Sequence, residues 1–470
     1  MRNSVLPLPA YLRQGNGIHR RQRLTTIKRN YRKEGLGMFR KSKAALGLAS
    51  IMALSSMLYA CGSDSSNNGS SASKDEKVDL NFIRWSNGPA LDNEEKDKVK
   101  RFNDTHPNIQ VKMTLLPWDE TFKKIEMSLA SNSPVDLFYW DVPAYAWYKK
   151  GLMKNLQPYF DRDLKMSDYD EKLFEPFKFD GSNMYVAPEN YQTLVLYYNK
   201  DLFDKAGVAY PSENWNWTDY LEAAKKLTIT KDGKTTQFGT SMSLGAWWGW
   251  MALSQEQGGA LAPNIHDPEK LSFNTPETKN ALQYLQDLIY KYHVAPDAAQ
   301  SSALGGDFLT GKIAMYVGGD WDLGNLKEKK DLKWDLAPMP KWEDKRVVPY
   351  WVGGYAMTEK SKHPDQAWEF IKWTMTENQE TLAKQQSWIP VNKDALSKVE
   401  SPAWAPAGYQ TARFDWMKYG IIGDMYHLKW REAQDKAISP ITDQIFANKI
   451  TVDDALKKMD EQVNEIISKK

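Results

Sequence analysis

Among the 19 tryptophans, Trp85, Trp140, Trp250, Trp321 and Trp388, each with glycine, aspartate or proline close by, are the ones whose setting suggests a strand end. In that setting a tryptophan stands at the edge of an apolar run more often than inside one. Asp141 follows Trp140, Asp320 precedes Trp321, and Gln192 comes just before the apolar run from Leu194 to Tyr198. Indole faces are flat and apolar, while carboxylates and amides form paired hydrogen bonds. Together they suit a molecule with C–H faces and a rim of hydroxyls, which is the chemistry of a pyranose ring. Each residue also has a plain structural role open to it: the tryptophans pack in a core, and Asp141 caps a loop. The densest aromatic cluster, Trp247-Trp248-Gly249-Trp250, places Trp248 and Trp250 on one side of a strand, or Trp247 and Trp250 on one side of a helix. Its three rings therefore do not all face one ligand, and a core ridge is the competing role.

Other chemistries find little support. Cys61 is the only cysteine, so no intrachain disulfide, thiolate zinc site or C-x-x-C redox pair is available. The segment from Gly306 to Ile313 comes close to a phosphate-binding loop, but Ile313 stands where Ser or Thr would hold magnesium. His106, His266, His293, His363 and His427 are scattered singly, without zinc-ligand spacing. No catalytic residue, metal or cofactor is expected.

The elements that position these residues alternate between strand-like and helix-like, as an α/β protein requires. Val78 to Ile83 reads as a strand, Asp92 to Phe102 as a helix, Ile109 to Leu115 as a strand, Glu120 to Ala130 as a helix, and Leu137 to Trp140 as a short buried strand. Asp201 to Ala206 reads as a helix closed by Gly207, and the next helix runs to Leu227 with Thr218 as its N-cap. Trp430 to Phe446 and Thr451 to Ile467 read as amphipathic helices. At 470 residues the chain is long enough for two or three domains.

Ahead of this body lies a targeting region. Met38 to Lys43 is basic, Ala44 to Tyr59 is uncharged and mostly apolar, and Ala60-Cys61 follows. That is the layout of a secretory signal, short of the roughly 20 apolar residues that span a bilayer. Residues 1–37 precede an already complete signal and are expected to be a mis-assigned upstream extension, with translation starting at Met38. Residues 61–77 form a flexible tether rich in Ser, Asn and Gly. Of 62 Lys and Arg and 60 Asp and Glu, 12 bases and one acid fall within residues 1–60. The remainder carries 50 against 59, a net charge of about −9, which gives no support to nucleic-acid binding.

Leu58-Tyr59-Ala60-Cys61 resembles the bacterial lipobox, in which the cysteine is acylated and becomes the mature N-terminus. Pro188 to Lys205 resembles the signature of extracellular solute-binding protein family 1, through Val195-Leu196-Tyr197-Tyr198-Asn199, Leu202 and Asp204. Glu189 departs from it, since an apolar residue is usual there. Ala130 to Trp140, Phe308 to Trp321 and Trp351-Val352-Gly353-Gly354 match the same family in order, and the resemblance covers Val78 to Lys470. It implies a class II periplasmic-binding-protein-like α/β fold, in which three crossings join two lobes about a ligand cleft. The lobes would be 78–187 with 352–394, and 188–351 with 395–470. Asp141 falls where maltose-binding relatives place a hydroxyl-binding carboxylate, and Gly354 belongs to the second crossing strand beside the ligand. The expected ligand set is therefore Trp85, Trp140, Asp141, Gln192, Trp250, Asp320, Trp321, Gly354 and Trp388. The resemblance implies a monomeric, lipid-anchored subunit on the extracellular face of a Gram-positive cell membrane. Its partners would be a carbohydrate and the permease subunits of an ABC importer. A secreted glycoside hydrolase, which also sets tryptophans around paired carboxylates, and a binder of a non-sugar solute are the rival readings.

Overall fold

A computed structural model describes residues 77–131, 135–305, 308–385, 387–414 and 417–469. The upstream extension, the signal peptide, all of the tether but Lys77, and the lipidation residue Cys61 lie outside the described residues.

Strand β1 (Val78–Trp85) buries Val78, Leu80 and Phe82 and exposes Asp79 and Asn81, the alternation of a strand with one face on a core. It pairs in parallel with β2 (Ile109–Leu116) and with β3 (Leu137–Tyr139). Helix α1 (Pro89–Thr105), with proline in its first turn, connects β1 to β2, and α2 (Trp118–Leu129) connects β2 to β3. This is the βαβαβ arrangement in which strand carboxyl ends form one rim.

Strand β4 (Ala187–Asn199) joins the halves of the molecule. Its residues Ala187 to Thr193 pair with β9 (Val348–Met357), whereas Leu194 to Asn199 pair with β7 (Ile313–Gly319) and β8 (Trp334–Ala337). The hairpin of β5 (Ile229–Lys231) and β6 (Lys234–Thr240) extends the second half, β6 lying parallel to β7. Strand β9 passes back, its far end antiparallel to β3. A third passage follows β10 (Ile389–Pro390), which pairs with Asn190 and Tyr191 of β4, and β11 (Gly420–Ile422) lies parallel to the start of β9. The result is a two-lobed α/β fold. The first lobe carries β1 to β3, and the second carries β5 to β8.

Two local readings need correction. Thr218 is not the N-cap of the helix Trp217–Leu227: Asn216 takes that place, its side chain accepting from the amides of Thr218 and Asp219 while Asp219 reaches back to the Asn216 amide. A capping box closes two donors at once, and Thr218 alone does not. The helix expected from Trp430 to Phe446 is interrupted by a π-helical turn, Gln434–Ile438. Pro440 follows in the first turn of Ser439–Phe446. Proline cannot donate to the preceding turn and its ring crowds it, so the helix widens there. By contrast Gly207, at φ +63°, ends Lys200–Ala206 as its sequence position implies.

Candidate functional site

Asp141 and Trp118 lie at the junction between the lobes, near Asp424 and under Arg431, and Trp85 ends β1 on the same rim of strand ends. Trp85 is half-buried; its indole donates to Asn87 Oδ1 at 3.1 Å, and its ring meets Tyr139 edge-on at 5.3 Å between centroids. Asp141, also half-buried, accepts from the indole of Trp118 at 2.8 Å and from the amide of Val142 at 2.7 Å. The second bond caps the turn Val142–Ala144, so Asp141 serves the fold as well as the junction. Burial raises the Asp141 carboxyl above its ordinary value, against the Trp118 and Val142 hydrogen bonds and the charge of Arg431.

Facing them is an aromatic group built on β9, the end of β7 and the helix Trp247–Glu256. Trp351 meets Trp321 edge-on at 5.6 Å and Trp248 at 6.5 Å. Two glycines make room for these rings. A Cβ on Gly319 would fall 2.3 Å from the Trp321 ring, and one on Gly423 would fall 2.5 Å from Trp351 Cε2. Next to Gly423, Asp424 hydrogen-bonds the Trp351 side chain, and its carboxyl lies well above the ordinary range because of burial first and the nearby Asp141 second. The buried Tyr426 hydroxyl is influenced by both carboxylates. Arg431 lies over the Trp118 ring at 4.4 Å, its Nε donating to Asp435 at 2.8 Å. Gln192 is half-buried, and its cross-strand partner is Trp351. Cross-strand partners share a face of the sheet, so the amide stands beside that ring.

The lobes touch across this junction. Leu91 and Trp388 pack with Trp321, and Lys327 reaches Glu94 at 3.7 Å, while within the first half Glu94 also accepts from Ser387 at 2.7 Å. Trp388, only 4% exposed, is thus buried against another expected ligand residue.

Three of the expected residues turn into the interior instead. Trp140 packs its ring among Phe177, Phe179 and Tyr426, and Trp250 is 1% exposed in the interior beside Phe273. Asp320, also 1% exposed, accepts from Arg413 Nε at 3.2 Å in a fully buried ion pair. Both Trp140-Asp141 and Asp320-Trp321 follow the last residue of a strand, where the chain turns, and in each pair one member turns into the interior and the other toward the junction. Gly354 acts through its backbone. A Cβ there would lie 2.3 Å from the Ala187 carbonyl oxygen, and its own carbonyl accepts from Trp140 N at 2.8 Å.

The family model for bacterial extracellular solute-binding proteins matches residues 87–380. The chain belongs to this family. Other bacterial extracellular solute-binding proteins resemble it over most of its length. A diacetylchitobiose binding protein, DasA of Streptomyces coelicolor, is 27% identical over 390 residues, 80% of this chain and 87% of that protein. The solved structure of the substrate-binding protein Lmo0181 of Listeria monocytogenes in complex with cycloalternan aligns at a TM-score of 0.73 with 25% identity, covering 83% of this chain and 99% of that one. The cyclic alpha-maltosyl-1,6-maltose binding protein of Arthrobacter globiformis shares the fold at a TM-score of 0.69 and 20% identity, covering 84% and 100%.

Trp118, Trp351, Asp424, Tyr426 and Arg431, which the fold brings to the candidate site, were not legible there from the sequence. Gly423-Asp424 does fit the pattern of a carboxylate beside glycine, and Trp351 precedes Val352-Gly353-Gly354. Only the register of β9 against β4 and β11 joins these positions.

Proposed function

We propose that this protein captures a sugar or oligosaccharide in the junction between its lobes and delivers it to the permease of an ABC importer. The observation that carries the reading is the approach of Asp141, bonded to Trp118 in one lobe, to Asp424, which is bonded to Trp351 and through it meets Trp321, so that flat rings alternate with carboxylates. The family supports a binding protein rather than an enzyme, and several relatives are named for the saccharides they bind. In this reading Trp321 and Trp351 supply stacking faces, and Asp141, Asp424 and Gln192 take the hydroxyls. The lobes, divided near 187, 352 and 394, open and close about the crossings to admit the ligand. Acylated Cys61 holds the body on the outer face of the membrane, with residues 61–77 as the tether.

A thermal-shift panel of disaccharides, oligosaccharides, polyamines and metal ions tests the ligand class, since whatever binds only the folded state raises its midpoint. The expected result is a saccharide hit with micromolar affinity, about −8 kcal/mol. A response confined to polyamines or metals contradicts it. Intact mass of membrane-extracted protein tests the anchor: the expected species begins at an acylated Cys61, and a mature N-terminus upstream of it contradicts the reading.

A further inference from the structure

Beneath the first-lobe wall of the junction lies a buried ionic cluster that ligand contact does not explain. Arg84 pairs with Glu95, Lys98 reaches Glu95 at 2.7 Å and Glu189 at 2.8 Å, and all four side chains are 5% exposed or less. Glu189 is the position at which the family signature is interrupted, and the pairing of β4 with β9 shows why it matters. Pro188 lies opposite Gly354 and Asn190 opposite Gly353, so the register slips between them and Glu189 is the extra residue of a β-bulge in the crossing strand. Its carbonyl accepts from Gln379, whose own side-chain oxygen accepts from the amides of Val391 and Asn392 on the third passage. Its carboxylate accepts from Tyr355 at 3.2 Å and, more distantly, from the Tyr139 hydroxyl at 3.5 Å.

Tyr139 links this cluster to the junction. Its hydroxyl accepts from Asn190 Nδ2 at 2.8 Å, and a Cβ on Gly353 would lie 2.3 Å from that hydroxyl, so glycine is required to seat it. The Arg84 guanidinium covers one part of the ring at 4.4 Å, and the ring meets Trp85 edge-on. Helix α1 adds a second connection. Lys98 ties it to the bulge and Glu95 ties it to Arg84 of β1, while Leu91 and Glu94 one turn earlier touch the second lobe.

We propose that Glu189 is a positioning residue for the ligand junction: the bulge drives its carboxylate into the cluster, and the cluster fixes Tyr139 and through it the orientation of Trp85. The binding consequence rests on the function proposed above, but the placement of Trp85 does not.

The test uses the full chain labelled with 15N-indole tryptophan, the Trp85 resonance being assigned with Trp85→Phe. Glu189→Gln is expected to shift or split the Trp85 indole signal and to leave that of Trp217, bonded to Glu256 in the other lobe, in place. In a Tyr139→Phe background the same substitution is expected to move Trp85 much less, because the link is already cut. If Glu189→Gln does not fold, the paired Lys98→Met/Glu189→Leu variant, which removes one charge of each sign, takes its place with the same expected shift. A Trp85 signal unmoved in a folded variant overturns the proposal, as does an equal shift with and without the Tyr139 hydroxyl. Titration with diacetylchitobiose, maltotriose and cycloalternan separates the two readings. Binding by the parent that weakens about tenfold in the variant supports both, and a moved Trp85 with no saccharide bound by the parent leaves the positioning role standing while the proposed ligand class fails.

Discussion

The carboxylates of the hinge cluster are fully buried and those of the junction are half-buried at Asp141 and buried at Asp424, yet what sets them apart is how their charges are matched. Glu95 and Glu189 face Arg84 and Lys98, two negative charges against two positive ones. Burial raises both carboxyls; at Glu95 the two cations outweigh it and hold it at about 2, whereas at Glu189 burial prevails over Lys98 and the carboxyl stays above its ordinary value. Asp141 and Asp424 instead face each other. Arg431, the cation that acts on Asp141, is shared with Asp435 and Asp119. A buried charge held by its own partners is a fixture of the fold. Carboxylates left short of donors at an aromatic junction can satisfy hydroxyls brought in by a ligand. Matching, more than burial alone, separates the framework from the site.

The largest effect should come from unbalancing the matched cluster. Lys98→Ala or Glu189→Ala leaves an uncompensated buried charge and should cost about 3–5 kcal/mol of stability in denaturant melts, whereas Lys98→Met/Glu189→Leu should come close to the parent. Equal losses from single and double variants would remove the charge-matching argument.

The unmatched pair should respond in binding instead. Asp141→Ala should weaken the saccharide found by thermal shift by about 1–3 kcal/mol, and Asp141→Asn by less, because the amide keeps one acceptor for a hydroxyl or for the Trp118 indole. Calorimetry that ranks the two variants the other way would assign Asp141 a role that needs its charge.

A third case sharpens the comparison with a carboxylate that has hydrogen bonds but, among the described residues, no ion pair. Glu256 accepts from Trp217 Nε1 at 2.6 Å and from Val347 N at 3.1 Å, yet burial pushes it up to about 8. Its folded value exceeds the unfolded one, so the folded state holds the proton more tightly between roughly pH 4.5 and 8. Its contribution is complete below that window and is lost as pH rises through it, at up to about 1.4 kcal/mol per pH unit. Glu256→Gln should flatten that part of the stability profile, and an unchanged slope would exclude Glu256 as its source.

The same distinction governs what could be read from the chain. The two-lobed fold was legible because its strands, the cap at Gly207 and the ordered family segments are local patterns, and local patterns survive in a linear string. Trp321 and Asp141 were legible as candidates from their glycine and strand-end neighbours. Trp140, Trp250 and Asp320 met the same rule and went into the interior, since the rule finds strand ends but not which way a side chain turns there. Asp424 was missed because its partners, Trp351 and Asp141, are remote in sequence and converge only through pairing at β9. Glu189 was visible as a departure from the family signature, but the bulge that gives it a role belongs to the sheet register.

The central claim is that the half-buried rings at the junction hold the ligand while the fully buried ones hold the fold, and calorimetric titration of Trp321→Ala beside its thermal melt tests it most directly. The account predicts binding weaker by about 1–3 kcal/mol, from the lost stacking face and apolar burial, with a melting temperature near the parent's. Unchanged affinity together with a melting temperature lowered as far as in Trp250→Ala, a core truncation worth about 3–5 kcal/mol, would place Trp321 in the framework and contradict the site.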